Sequence, residues 1–183
     1  ILKGPFLRGA NICQSFDEGE VIPPYSESTI LELSSLGANY INLSVPGIFS
    51  SEEPFEEVGL LRQSLVLMVE KAVQANMWVV ISFRTGPGRR EAIFENGGKG
   101  ATLWSNPEAQ NAWIKMWKET ARIFKNHKNI AGFDLMVEPE IRNTKLWIDF
   151  AKRMIREIRL VDSETPILVG GADWGVVASL EPQ

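Results

Sequence analysis

Cysteine and histidine are nearly missing from this sequence, with one of each, Cys13 and His127. A single Cys cannot close an internal disulfide, so cysteine usage says nothing about compartment. One His and one Cys cannot assemble a metal-ligand cluster, and His127, in Lys125-Asn126-His127-Lys128 between a helix and a strand, has no Ser or Cys partner for nucleophilic catalysis. No cofactor is expected. No apolar run approaches the ~18 residues of a membrane span. Basic residues are outnumbered, 19 against 23 acidic, and dispersed, which argues against a nucleic-acid-binding face. Gly97-Gly98-Lys99-Gly100 lacks the spacing of a phosphate-binding P-loop and reads as a loop. What remains is a soluble globular chain of 183 residues, 44% of them hydrophobic, with neither membrane nor nucleic acid as partner. It begins at Ile1 without Met and without a signal-peptide pattern, as a trimmed chain would, so localisation stays unknown and secretion stays open.

Short β-branched or aromatic runs alternate with longer amphipathic stretches, the pattern of βα units on a parallel sheet. The strand candidates are Phe6 to Ile12, Tyr40 to Val45, Trp78 to Phe83, Ile130 to Val137 and Ile167 to Gly170, and the helices lie around Ser26 to Leu36, Gly59 to Ala75, Pro107 to Lys125 and Thr144 to Val161. Asn106 and Asn143 are placed to cap two helices, with Pro107 in a first turn where a missing N–H costs nothing. Gly37, Asn76 and Asn126 stand at helix ends as left-handed stops. Trp113, Trp117 and Trp147 fall on helix faces that pack inward. The segments 46–58 and 85–105 follow strand ends, where parallel α/β folds build their active sites. Within them, Arg89-Arg90-Glu91 reads as a solvated loop face. Asn42-Leu43-Ser44 matches a glycosylation sequon but sits in a buried strand.

The fourth strand candidate ends in Leu135-Met136-Val137-Glu138-Pro139-Glu140, an apolar run that delivers a carboxylate to the sheet's carboxyl edge. Pro139 cannot continue a ladder and restrains the residue before it to an extended conformation, so Glu138 is either aimed by the backbone or merely part of a strand terminator.

Four segments in order resemble glycoside hydrolase family 5, the cellulase-like enzymes of the retaining (β/α)8 glycosidase clan. They are Leu7-Arg8-Gly9-Ala10-Asn11, Gly37-Ala38-Asn39-Tyr40-Ile41, Val80-Ile81-Ser82-Phe83-Arg84-Thr85-Gly86-Pro87-Gly88, and Ile130 through Pro139. The resemblance implies an α/β TIM barrel, present as about five βα units, with residues 1–183 forming the N-terminal portion of one catalytic domain. It implies a hydrolase of a β-linked polysaccharide, such as a glucan, with Glu138 as general acid/base, and with Asn11 on the first strand in a substrate-binding position. Three positions depart from the family pattern. Asn42 stands where Arg is usual, Arg84 where His is usual, and Val137 where an Asn hydrogen-bonds the sugar 2-hydroxyl. Either Asn42 and Arg84 take over the donor roles in a rebuilt pocket, or the chain belongs to a carbohydrate-binding barrel that has lost catalysis. A sugar-phosphate enzyme on a similar barrel is a third reading.

Retaining hydrolysis needs a second carboxylate about 5 Å from the first. In the family it comes from strand seven, so the nucleophile and the other half of the barrel are expected outside this chain. Asp134 precedes Glu138 by four residues, roughly 13 Å along a strand, which is too far. Glu140 and Asp173 remain as accessory carboxylates. Trp104 and Trp174, in loops after strands, either stack on a pyranose ring or pack within those loops.

Overall fold

The computed structural model describes residues 6–17, 20–22 and 27–180. Five strands, β1 (Gly9–Cys13), β4 (Tyr40–Pro46), β5 (Trp78–Thr85), β6 (Ile130–Asp134) and β7 (Ile167–Leu168), form one parallel sheet in that order. Helices α1 (Glu27–Ser35), α2 (Gly59–Gln74), α3 (Pro107–Phe124) and α4 (Thr144–Arg159) connect them. Strands adjacent in sequence are adjacent in space and every connection is a βα unit, so the sheet is five consecutive strands of the (β/α)8 barrel pattern. A small antiparallel hairpin, β2 (Ser15–Asp17) with β3 (Glu20–Ile22), branches off after β1, and a short helical turn α5 (Ala172–Gly175) follows β7.

The expected order of elements holds, with differences at their ends. Phe6 to Arg8 are not strand, and β6 stops at Asp134 rather than Val137, because the chain turns there into the loop that carries Glu138. Ser26, the expected start of the first helix, and the terminal Glu181-Pro182-Gln183 lie outside the described residues. Asn106 caps α3 by accepting from the N–H groups of Glu108 (2.9 Å) and Ala109 (3.2 Å), and Asn143 caps α4 from Leu146 (3.1 Å). Gly37 and Asn76 adopt the left-handed conformation that ends a helix. Asn126 does not, since Lys125 closes α3 in helical geometry and the N–H of His127 bonds back to Phe124.

The sheet has two chemically distinct faces because strand side chains alternate. One carries Ile41, Leu43 and Val45 of β4, Val79, Ile81 and Phe83 of β5, and Phe133 of β6, all buried in a single core. Against it α3 presents Trp113, Met116, Trp117, Ala121 and Phe124 at helical spacing, and α4 adds Trp147, Phe150, Met154 and Ile158. Trp117 is the centre of this contact. Its ring lies 4.4 Å from that of Phe83 and 5.7 Å from that of Phe133, and its indole N–H donates to the Leu135 carbonyl at 2.9 Å. That bond ties α3 to the first residue beyond β6, so helix packing sets the course of the loop toward Glu138. Both Trp117 and Trp147 are fully buried, as the helical spacing predicts.

Trp117→Phe should keep most of the apolar contact but orphan the buried Leu135 carbonyl, lowering unfolding free energy by about 1–3 kcal/mol, measurable by urea denaturation. A loss below about 0.5 kcal/mol would put this bond among the ordinary surface-level contributions.

Candidate functional site

The opposite face of the sheet is polar. Asn11 of β1 and Asn42 of β4 are register partners, and their amides meet at 3.1 Å with Asn42 donating. Ser82 of β5 and Asp134 of β6 are also register partners, 3.0 Å apart from Oγ to Oδ2, and the same hydroxyl lies 2.7 Å from Asn42 Oδ1. The four side chains thus form one chain of hydrogen bonds across four neighbouring strands. Ser82 has a single hydroxyl hydrogen facing two oxygens. A protonated Asp134 resolves this by donating to Ser82 Oγ, which then donates to Asn42. Burial pushes the Asp134 carboxyl up from 3.8 to about 6, opposed by its bonds from Ser82 and the Met136 N–H.

Beyond β5 and β6 the chain builds a second, tighter cluster. After Thr85 the loop turns back on itself through a short bridge between Gly86 and Arg89. Gly88 makes this fold possible: its φ is 71°, and a Cβ there would stand 2.8 Å from the Leu103 nitrogen. The turn points Arg89 inward, where its side chain is 0% exposed. All three nitrogens of the guanidinium donate. Nε bonds Glu140 Oε2 at 2.8 Å, Nη1 bonds the Arg84 carbonyl, and Nη2 bonds the carbonyls of Val137 at 2.9 Å and Glu138 at 2.8 Å. Burial lowers the Arg89 pKa, and the Glu140 charge opposes that shift. The other Glu140 oxygen accepts from the Trp104 indole N–H at 2.7 Å, so this carboxylate, 3% exposed, is held at both ends.

The expectation of a solvated Arg89-Arg90-Glu91 face is therefore overturned for Arg89. Only Arg90 lies out in solvent, paired with Glu52. Glu91 takes two bonds from Arg84, at 3.0 and 2.5 Å, while the Arg84 guanidinium lies 4.0 Å over the Phe94 ring. The turn of β5 brings an ion pair together that no linear pattern announces, because Arg89 and Glu140 are 51 residues apart. The one local signal was Thr85-Gly86-Pro87-Gly88, a turn tight enough to reverse the chain before Arg89.

Glu138 is exposed at the rim of this cluster, and its φ of 48° is left-handed, not the extended conformation expected of a residue before proline. A non-glycine residue held in the left-handed region costs about 1–3 kcal/mol and persists only where its surroundings over-determine it. Here they do: the Val137 N–H donates to the Phe83 carbonyl at 2.9 Å and the carbonyls on both sides of the Glu138 Cα bond Arg89. The loop after β7 is joined to the same structure, with the N–H groups of Asp173 and Trp174 donating to the Ile141 and Pro139 carbonyls, each at 2.9 Å. Trp174 is half-buried, also left-handed, with its ring edge-on to Phe94 at 6.1 Å. Trp104 packs edge-on against Trp147 and Phe150. Asp173 is partly exposed beside Arg142. Of the residues singled out from sequence, Glu138, Trp174, Trp104 and Arg84 thus gather at the ends of β5 to β7, while Asn11 and Asn42 belong to the polar chain on the sheet.

A model of the cellulase family, glycosyl hydrolase family 5, matches residues 20–181. Endoglucanase C of Acetivibrio thermocellus is 22% identical over 153 residues, a match covering 81% of this chain and 43% of that protein. Among solved structures, a glycoside hydrolase superposes with a TM-score of 0.80 at 19% identity, over 95% of this chain and 56% of the other. Cel5A of Thermotoga maritima in complex with cellobiose gives 0.72 at 17% identity, over 96% and 56%. The chain spans less than half the length of the curated relative and just over half that of these structures.

Because its folded-state pKa lies above its unfolded value, Asp134 binds its proton more tightly in the native chain. Its contribution to stability is full below about pH 4, declines as pH rises toward 6 and is level above, for a total of about 1–3 kcal/mol. Asp134→Asn, which keeps a donor toward Ser82, should remove that decline and be the more stable protein at pH 7. Thermal unfolding across pH 4 to 7 checks this, and parallel curves for the two proteins would contradict it.

Proposed function

This chain belongs to glycosyl hydrolase family 5, and from that membership we propose that the intact protein hydrolyses β-linked polysaccharide in the manner of an endoglucanase, with Glu138 as general acid/base. The observation that carries the assignment is the placement of Glu138: a carboxylate held out from the end of β6 by a left-handed backbone, at the carboxyl edge of a parallel sheet. In a retaining mechanism its acid form protonates the departing glycosidic oxygen as a carboxylate attacks the anomeric carbon. Its conjugate base then draws a proton from the water that hydrolyses the glycosyl ester. Residues 1–183 would supply the first βα units of one barrel domain, and the attacking carboxylate would come from a later strand. Glu140 is not a candidate for that role, because both its oxygens are already bonded in a buried cluster. Asp173 is a rim group on the loop beside it.

Trp174, next to Glu138 through its bond to Pro139, is the aromatic surface best placed to receive a pyranose ring, whose axial C–H groups present an apolar face. Trp104 would act from behind, by holding Glu140. The polar chain of Asn11, Asn42, Ser82 and Asp134 would line the floor below, where Asn42 occupies the position usually given to Arg. Arg84, paired with Glu91, would supply positive charge near Glu138. A purely sugar-binding barrel is less well supported, since the geometry spent on aiming Glu138 has no use in it.

In the intact protein, Glu138→Gln should lower kcat/KM by about 10²–10⁴-fold on glycosides with poor leaving groups and far less on activated aryl glycosides, since proton donation matters most when the departing oxygen is basic. Equal losses on both would take Glu138 out of the acid role, and binding without turnover in the unaltered protein would favour the sugar-binding reading.

A further inference from the structure

We infer that Arg89 is the positioning residue of the acid/base, fixing the backbone of Glu138 and so the aim of its carboxylate. This rests on the reading of Glu138 as acid/base given above. The φ and ψ angles of a residue describe how its two flanking peptide planes are turned about its Cα. The Val137 carbonyl belongs to the plane before Glu138 and the Glu138 carbonyl to the plane after it. Arg89 Nη2 donates to both, at 2.9 and 2.8 Å, so one planar, charged group holds both planes at once. A lysine, with three N–H groups on one nitrogen, could not serve these two carbonyls, the Arg84 carbonyl and Glu140 together as the guanidinium does.

The guanidinium is itself fixed from behind. Nη1 reaches the Arg84 carbonyl at the end of β5 and Nε reaches Glu140, which Trp104 holds from its far side. Arg84, Trp104 and Glu140 come from the β5 end, the long loop before α3 and the segment after β6, so Arg89 locks three parts of the chain to the aim of one side chain. A residue before proline prefers an extended backbone, so the left-handed φ of 48° at Glu138 is held against the preference Pro139 imposes. Any guanidinium buried this completely needs acceptors beyond its countercharge, and main-chain carbonyls anywhere nearby could supply them. The two bonds flanking Glu138 are what mark a role in the chemistry.

The test uses the intact protein and two aryl β-cellobiosides, one with a dinitrophenolate and one with a phenolate leaving group. Arg89→Lys keeps a charge for Glu140 but has three N–H donors on one nitrogen, too few to hold Glu140, the Arg84 carbonyl and both flanking carbonyls at once. The double variant Arg89→Met with Glu140→Gln removes both charges, leaving no lone buried ion. Each should lose at least about 30-fold more kcat/KM on the phenyl than on the dinitrophenyl glycoside, and each should displace the basic limb of the pH profile, which the acid's ionisation sets. A loss equal on both substrates with an unmoved pH profile would make Arg89 structural only and overturn the inference. Should neither variant fold, Trp104→Phe, which releases one end of Glu140, decides by the same ratio: a selective loss upholds the role and an unselective one removes it. Glu138→Gln run alongside separates the two readings, because an unselective loss there defeats the acid/base assignment itself.

Discussion

A guanidinium taken wholly out of water must have its donors satisfied, and around Arg89 that requirement organises the surrounding structure. The effective penalty for burying an ion is several kcal/mol unless a countercharge and further hydrogen bonds offset it. Here a carboxylate and three main-chain carbonyls do so. Those carbonyls belong to the end of β5 and the segment beyond β6, and the countercharge belongs to the loop that also meets β7 through Pro139 and Ile141. Satisfying one charge therefore sets the relative position of three strand ends. The left-handed conformation of Glu138 is stable within that frame and would be strained outside it.

The frame stands on a sheet whose two faces have been given different work. The helix side is apolar and close-packed around Trp117, Phe83 and Phe133, and supplies rigidity. The other side carries amides, a hydroxyl and a carboxyl linked strand to strand. Its members are chosen so that each can give or take a hydrogen bond from its neighbour, with Asp134 held as a weaker acid than usual by burial. Asn11, Asn42, Ser82 and Asp134 thus satisfy one another across the strands, below the strand ends that carry Glu138.

Helix ends, the core tryptophans and the order of βα units are all legible from residue type and spacing, because their causes are local. Asn106 caps because the N–H groups it serves, those of Glu108 and Ala109, lie only two and three residues along the chain, and Trp113 and Trp117 face inward because they are four apart on an amphipathic helix. Glu138 was visible for the same reason, standing between an apolar strand and a proline. Strand ends were less legible: the apolar run through Val137 looks like strand, yet β6 ends at Asp134, and the carbonyls of Leu135, Val137 and Glu138 beyond it bond the side chains of Trp117 and Arg89.

From sequence alone, then, came the parallel α/β architecture, its barrel-like succession of units, the family resemblance and a carboxylate at the carboxyl edge of the sheet. Tertiary structure decided what surrounds that carboxylate. Arg89 read as solvated when only its charged neighbours in the chain were considered, and Glu140 read as an accessory acid. Their burial together depends on a turn at Gly88 and on 51 residues of intervening chain returning to the same place. The pairing of Asn11 with Asn42 and of Ser82 with Asp134 depends likewise on strand register, which is settled between strands. Contacts of this range are set by the packing of the whole core, and no window along the chain contains both partners.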